Sequence, residues 1–522
     1  MAGELSDVVP RYANLGTLHH PITTTSEPAQ QYFDQGLRWL YAFNHEEAIR
    51  SFEEAARRDS TAAMAYWGIA LVLGPNINAP MAKADERRAW AALQQARAQA
   101  GHVSPAEQRY IEALSARYSA KGGSRVALDK AYAAAMRRLW QQSPDDPDAG
   151  TLFAEALMDL RPWDLWTADG RPHPGTEELV STLETVLARA PDHPGACHYY
   201  IHAVEASPKP ERALACAERL PGLMPGAGHL VHMPSHIYIR LGQYHEAAER
   251  NVHAVQVDQT YLLGREPAGD YADGYYAHNL HFLWASLAME GRQAEALKVA
   301  KDLAKTITEP EARKDTWKQF YLPAPLFSLI RFGRWDDVLR EPVPAKGLRY
   351  HEGMWRLGRG LANAAIGRIP GAGGEHAVLA GLVKQFRRDR NPEDKTERTL
   401  LKIAERVLAG EIAARKKQYE AAIAMLRDGV QLEDTLPYME PPYWPIPVRH
   451  YLGAVLLMAG RPGEAEQIYR ADLQRNPANG WSVFGLMQSL RAQQKSSEAD
   501  DAEQQFKSVW IHADVLLTAS RF

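Results

Sequence analysis

The fold is decided by a stretch near the start of the chain, YFDQGLRWLYAFNHEEAIRSFEEAARR, which covers residues 32–58. Its apolar residues recur every three or four positions on both sides of a short break at 43–45, which is the spacing of amphipathic helices. Small residues at Gly36, Ala48 and Ala55 stand where two such helices would touch. The stretch therefore predicts one helix-turn-helix unit.

The same pattern recurs along the chain, most visibly as an alanine five residues after a turn residue. Clear cases are Gly242 with Ala247, Gly291 with Ala296 and Gly460 with Ala465; weaker ones are Pro208 with Ala213 and Gly333 with Val338. At these residues the chain resembles the tetratricopeptide repeat (TPR), a unit of about 34 residues built from two helices. The resemblance implies an all-α fold, a right-handed α-solenoid of TPR-like helix-turn-helix repeats.

The pattern indicates two regions, an irregular N-terminal segment at 1–28 and a continuous TPR-like superhelix at 29–522, with a His-rich site in 193–282. Because each repeat buries its apolar face only against its neighbours, we expect one superhelix and not separate domains. Segments rich in Gly, Pro or aromatic residues predict loops at 161–175, 264–276, 366–375 and 435–447. The loop at 264–276 could act as a lid.

Composition narrows the class of protein. The formal net charge is -4 over 522 residues with no long run of one sign, which argues against nucleic-acid or membrane partners. The N-terminus lacks the basic and apolar segments of a leader peptide, and no window is apolar enough for a transmembrane helix. We therefore expect a cytoplasmic protein. Cys197 and Cys216 are the only cysteines, so a metal here would be held by imidazole and carboxylate.

Histidines are concentrated in one part of the chain. Ten of the 19 lie within 193–281, where an even distribution would place about three. These residues recur at fixed distances before the turn residue of their repeat. His229, His232 and His236 lie 13, 10 and 6 residues before Gly242, and His278 and His281 lie 13 and 10 before Gly291. His198, His202 and Glu205 lie 10, 6 and 3 before Pro208, and His450 lies 10 before Gly460. Offsets that differ by three or four place side chains on one face of a helix.

This register predicts a metal site. Two imidazoles one helical turn apart can chelate a single ion at metal–nitrogen distances near 2 Å. The candidate ligands are His198, His202, His229, His232, His236, His278 and His281. Glu205 would serve as ligand or catalytic general base. Because Pro234 is comfortable only in a first helical turn, the helix there is expected to begin near Val231, with His229 in the lead-in.

Candidate substrate-binding residues lie on the same face or in the aromatic loops: Tyr275, Tyr276, Trp444 and His450. Aromatic residues at these positions could also simply pack between repeats. A His-lined groove without metal could instead bind an anionic ligand, a peptide or another protein. The motifs of nucleotide-binding loops, α/β-hydrolases and HExxH metalloproteases do not occur in the sequence.

Four stretches resemble a widespread group of bacterial TPR proteins of similar length: FDQGLRWLYAFNHEEA (33–48), WGIALVLGPNIN (67–78), HYYIHAVEAS (198–207) and GHLVHMPSHIY (228–238). The resemblance implies a shared His-rich site without naming a reaction. We expect a metal-dependent enzyme that acts on a small-molecule substrate in the concave groove, with redox chemistry on O2 favoured over hydrolysis. Copper is the favoured ion, with iron or zinc as alternatives. The alternative functions are a zinc-dependent hydrolase and a non-catalytic scaffold that binds a protein or peptide.

Overall fold

The computed structural model describes residues 9–263, 271–385 and 391–522. It divides into two compact units, one of residues 1–237 with 253–263 and one of residues 238–252 with 264–522. The described residues form helices and connecting segments, and none of them belongs to a β-strand. The prediction of an all-α fold of helix-turn-helix repeats is confirmed. The prediction of one continuous superhelix stays a prediction.

In the first unit, residues 9–26 contain no helix. The helices that follow are α1 (Glu27–Tyr41), α2 (His45–Arg58), α3 (Ala63–Val72), α4 (Glu86–Gln99), α5 (Pro105–Ser115), α6 (Arg125–Gln142), α7 (Pro147–Met158), α8 (Thr176–Arg189), α9 (Pro194–Glu205), α10 (Leu214–Leu223) and α11 (Gly228–His232). The boundary between the units falls within α12 (Pro234–Arg240) and α13 (Tyr244–Leu262).

The second unit continues with a short π-helix at Ala272–Tyr276 and then α14 (Ala277–Glu290), α15 (Gln293–Lys305), α16 (Glu309–Lys314), α17 (Ala324–Arg331), α18 (Trp335–Arg340), α19 (Arg349–Ala365), α20 (Ile369–Lys384), α21 (Pro392–Arg415), α22 (Tyr419–Asp434), α23 (Val448–Met458), α24 (Pro462–Arg475), α25 (Gly480–Ala492) and α26 (Ser496–Val509). No helix in the described ranges has both the length and the apolar composition needed to cross a membrane.

Small residues let the helices of a repeat approach closely. The ring of Phe52 on α2 packs directly against Gly36 on α1 and Gly68 on α3, and a methyl group at either glycine would clash with it. Ala48 and Ala55 are fully buried beside it. The small residues predicted at the helix contacts therefore lie where the helices approach closely enough that a larger side chain would not fit.

In eight places the turn between two paired helices has the same conformation. Its central residue has positive φ at Phe43, Gly242, Gly291, Gly333, Gly367, Lys417, Gly460 and Gln494. In each case the residue five positions later is fully buried: Ala48, Ala247, Ala296, Val338, Ala372, Ala422, Ala465 and Ala499. The sequence rule therefore holds more widely than the glycines alone indicated. Pro208 is an exception, because its ring fixes φ near −65° and a 3₁₀ segment, Pro210–Ala213, follows it.

Two segments that were predicted as loops are partly helical in the structure. The Gly-rich segment 366–375 was predicted as a loop, but α20 begins at Ile369 and runs through it, since packing against α19 outweighs the low helix propensity of glycine. Of the predicted lid at 264–276, residues 264–270 lie outside the described part of the chain, and Ala272–Tyr276 is helical. The segments 161–175 and 435–447 are mostly irregular.

Replacing Gly242 by alanine is expected to destabilise the protein more than replacing Gly460. Both glycines have φ near +75°, which costs a residue with a side chain about 1 to 2 kcal/mol. A methyl group at Gly242 would also clash with the carbonyl oxygen of Pro477, whereas open space surrounds Gly460. Thermal unfolding should show a larger decrease in Tm for Gly242→Ala; equal decreases would contradict the close approach to Pro477.

Candidate metal centre

Three short helices of the first unit carry most of the predicted ligands. α9 presents His198, His202 and Glu205, α11 presents His229 and His232, and the first turn of α12 presents His236. All six side chains are buried, with exposed fractions between 0 and 3 %. The sequence predicted that the helix would begin near Val231, after His229. That prediction was wrong, because a separate helix, α11, precedes Pro234 and contains His229, whereas Pro234 begins α12.

Hydrogen bonds at Nδ1 orient two of the imidazoles on α9. His198 Nδ1 lies 2.7 Å from the carbonyl oxygen of Tyr41, and His202 Nδ1 lies 2.7 Å from Oε1 of Glu205. Because these oxygens accept, each Nδ1 must carry the proton, which leaves the lone pair of each ring on Nε2. Histidines that bind metal ions through Nε2 are held by this kind of acceptor at Nδ1.

Ring nitrogens of His198, His202 and His229 lie close together. Nε2 of His198 lies 3.1 Å from Nε2 of His229, and one ring nitrogen from each of His198, His202 and His229 lies within 4.8 Å of the others. Two imidazoles bound to one tetrahedral ion at about 2.0–2.1 Å would have their nitrogens about 3.3 Å apart. Nε2 of His202 is buried and has no hydrogen-bond partner among the described residues. The three residues therefore fit one metal ion with little rearrangement.

Glu205 joins this group to a second imidazole pair. Its Oε1 accepts from His202 and its Oε2 accepts from Nδ1 of His236 at 2.6 Å. Nε2 of His236 in turn lies 3.0 Å from Nε2 of His232. Both carboxylate oxygens are thus used to orient histidines, so the geometry favours a positioning role for Glu205. Its predicted role as ligand or catalytic base stays a prediction.

Burial determines the protonation of the cluster. Burial lowers the pKa of His198 well below its usual range and lowers that of His202 despite the adjacent Glu205 carboxylate, so both rings are neutral at pH 7. Burial alone would raise the pKa of Glu205, but the imidazoles of His236 and His202 outweigh it and lower the pKa. The site therefore combines neutral imidazoles with one buried carboxylate, a set of side chains suited to a cation.

Two aromatic residues that cover the histidines have left-handed backbone conformations. The ring of Phe43 lies 4.5 Å from that of His198 and stacks 5.7 Å from that of His229. Trp163 meets His202 edge-on at 5.1 Å. Their φ angles are +57° and +60°, which costs a bulky residue about 1 to 2 kcal/mol. Such strain is concentrated at functional sites. The signal for Phe43 is its position, because most repeats carry glycine at this point of the turn.

Tyr41 makes two hydrogen bonds, one through its backbone carbonyl and one through its side-chain hydroxyl. Its carbonyl oxygen accepts from His198, and its hydroxyl donates to Oδ1 of Asp148 at 2.6 Å. His193 caps α9 by accepting from the amide of Ala196, and its Nε2 lies 3.1 Å from Oδ1 of Asp148. Tyr41 and Asp148 were missed by sequence reasoning, since neither lies near the histidines in the sequence.

The remaining predicted site residues belong to the second unit. Tyr275 and Tyr276 lie in the π-helix, and His278 and His281 follow on α14. Trp444 and His281 line a cavity of about 230 Å³. His450 is fully buried, with Nδ1 2.9 Å from Arg331 and Nε2 2.9 Å from Asp472. Because both of its ring nitrogens are hydrogen-bonded, the geometry favours a structural role. The metal and substrate roles of these residues stay predictions.

Lowering the pH from 7.5 to 5 is expected to destabilise the protein. Burial lowers the pKa of His198 and His202, and it lowers that of His281 to about 3. The unfolded chain binds protons at these positions below about pH 6.5, so stability falls as the pH drops through that value, by up to about 2 kcal/mol per histidine at pH 5. Urea unfolding at pH 7.5, 6 and 5 measures the loss; unchanged or greater stability at pH 5 would contradict neutral burial.

Comparison with known proteins does not assign this chain to a family. No family model matches the chain, and no curated protein matches it. Solved structures of human IFIT1 are similar in fold. The dimer with m7Gppp-AAAA is 11% identical, with 94% of this chain and 91% of that chain covered and a TM-score of 0.35. The dimer with PPP-AAAA is 12% identical, with 91% and 89% covered and a TM-score of 0.34.

These structures correct one prediction. The sequence was taken to exclude a nucleic-acid partner, but the similar structures contain capped or triphosphate RNA, which contradicts that exclusion. The net charge that suggested it is an average over 522 residues and does not describe any local surface. Identities of 11 to 12% and TM-scores near 0.35 assign no ligand to this chain.

Proposed function

We propose that the histidine cluster of the first unit binds a transition-metal ion and is the centre of a metal-dependent enzyme. Two observations carry the proposal: the buried Nε2 of His202 has no hydrogen-bond partner among the described residues, and one ring nitrogen of His202 lies within 4.8 Å of ring nitrogens of His198 and His229. A buried polar atom without a partner costs about 1 to 3 kcal/mol. A bound cation would remove that cost.

The ligand atoms available in the cluster restrict which metal ions can bind there. Three imidazoles without thiolate suit copper, zinc or iron, and three protein ligands leave a coordination position for a further molecule. We propose copper first and, with it, redox chemistry on O2 with a small molecule; zinc in the same position would instead supply activated water for hydrolysis. In either case Phe43 and Trp163 exclude water from the ring faces of the histidines.

The side chains around the ion would have separate roles. Tyr41 and Glu205 hold the proton on Nδ1 of His198 and His202 and so direct the Nε2 lone pairs. Through its second oxygen, Glu205 also fixes the orientation of His236. We therefore propose that Glu205 is a positioning residue whose carboxylate raises the basicity of the imidazoles it contacts.

Metal analysis tests the proposal. Untagged protein purified without chelator should contain one or two equivalents of copper, zinc or iron by ICP-MS, or should take them up on reconstitution. The element found selects between oxygen chemistry and hydrolysis. Less than about a tenth of an equivalent, with no uptake on reconstitution, would overturn the metal proposal and favour a scaffold without metal.

A further inference from the structure

The second unit contains a cavity that is separate from the histidine cluster. It has a volume of about 230 Å³ and is bordered by α14 and by the irregular segment 435–447. All of its lining residues belong to the second unit. A concave, mostly apolar space with a few polar groups is the usual form of a small-molecule site.

Much of the cavity wall consists of aromatic rings and proline rings. The ring of His281 stacks on Trp284 at 5.6 Å with an interplanar angle of 21°. Tyr443 and Trp444 line the cavity from the segment 435–447, together with several prolines. Phe327 holds the indole of Trp444 in an edge-to-face contact at 5.7 Å. Rigid aromatic and proline faces favour a planar ring over a flexible chain, because rings stack in offset or edge-on contacts.

One donor in this wall has no acceptor. Trp444 is 2 % exposed, and its Nε1 has no hydrogen-bond partner among the described residues. A buried indole N–H normally finds a partner, so an acceptor supplied by a ligand would complete its hydrogen bonding.

Three charged residues that line the cavity, Arg449, Asp472 and Arg475, have hydrogen-bond or ion-pair partners within the unit. Both terminal nitrogens of Arg449 donate to Asp434, and Arg475 also pairs with that carboxylate. Asp472 accepts from Ser482 at 2.7 Å and contacts His450. These pairings favour an uncharged ligand.

We infer that this cavity binds an uncharged planar heteroaromatic molecule of one or two fused rings, whose ring nitrogen or carbonyl oxygen accepts a hydrogen bond from Trp444. His281 and Trp284 provide the stacking face. The inference is independent of the metal proposal, because none of the residues that carry it belongs to the histidine cluster.

Quinoline and naphthalene test the inference, since the two probes have the same shape and only quinoline has an acceptor. Affinities for the full-length protein are measured by saturation-transfer NMR titration at pH 7.5. Quinoline should bind about three- to tenfold more tightly than naphthalene, the contribution of one neutral hydrogen bond. Trp444→Phe removes the indole N–H and should abolish that preference, so that the two probes bind with nearly equal affinity. The matched control Trp140→Phe, in the first unit, should keep the preference.

The inference would be overturned by no binding of either probe to the wild-type protein up to the aqueous solubility of that probe, by equal affinities for the two probes, or by a preference for quinoline that survives in Trp444→Phe. If Trp444→Phe unfolds, the bulkier substitution Ala285→Leu gives a second test, because Ala285 lines the cavity and a larger side chain there should weaken both probes together. Unchanged probe affinities in a folded Ala285→Leu protein would place binding elsewhere and overturn the inference.

Discussion

Replacing His202 by alanine is expected to lower the affinity for metal by about 100-fold or more. His202 contributes the buried Nε2 without a hydrogen-bond partner, and its loss would leave two imidazoles, His198 and His229, at that position. Even residues that only support a ligand change metal affinity by about 10- to 100-fold, so a lost ligand should exceed that range. ICP-MS after dialysis and a competitive chelator titration measure the change.

His253→Ala is the matched control for this substitution. His253 lies in the same unit but is exposed on α13, so its removal should leave the metal content unchanged. Circular dichroism must show that His202→Ala remains helical, since the substitution also removes one partner of the buried Glu205. A folded His202→Ala protein that binds metal as tightly as the wild type would contradict the assignment of His202 as a ligand.

Replacing Glu205 by glutamine should reduce metal affinity by about 10- to 100-fold without removing any proposed ligand. In the wild type each carboxylate oxygen accepts from an imidazole Nδ1, one on His202 and one on His236. A glutamine side chain presents an NH2 group to one of these rings, so a donor faces a donor. The loss of one bond to a charged group should also lower the free energy of unfolding by about 1.5 to 3 kcal/mol.

Glu107→Gln provides the comparison. Glu107 is also a buried glutamate with both oxygens engaged, but its partners are Thr23 and Ser104 at the N-terminus of α5. This variant should lose stability and keep its metal affinity. If Glu205→Gln and Glu107→Gln lower metal affinity equally, the effect reflects general destabilisation, and the positioning role of Glu205 would be wrong.

The helical repeat and the register of the histidines could be predicted from the sequence. Helix-turn-helix units were predictable because the spacing of apolar residues and the small residue after each turn are local requirements of two packed helices. His198, His202 and Glu205 were recognisable together because residues three and four apart on a helix lie on one face. The prediction of a loop at 366–375 was wrong from Ile369 onward, where α20 begins, because glycine content does not indicate what packs against a segment.

The hydrogen-bond partners of these residues follow from the tertiary structure and could not be predicted from the sequence. It brings the carbonyl of Tyr41, 157 positions away from His198, to the Nδ1 of that ring, and it makes Glu205 the shared acceptor of two histidines. It also places His278 and His281 in the second unit, although their register matches that of the other histidines. Register along a helix is set by neighbouring residues, whereas the partner of each polar atom is set by which helices pack together, and that depends on burial across the whole unit.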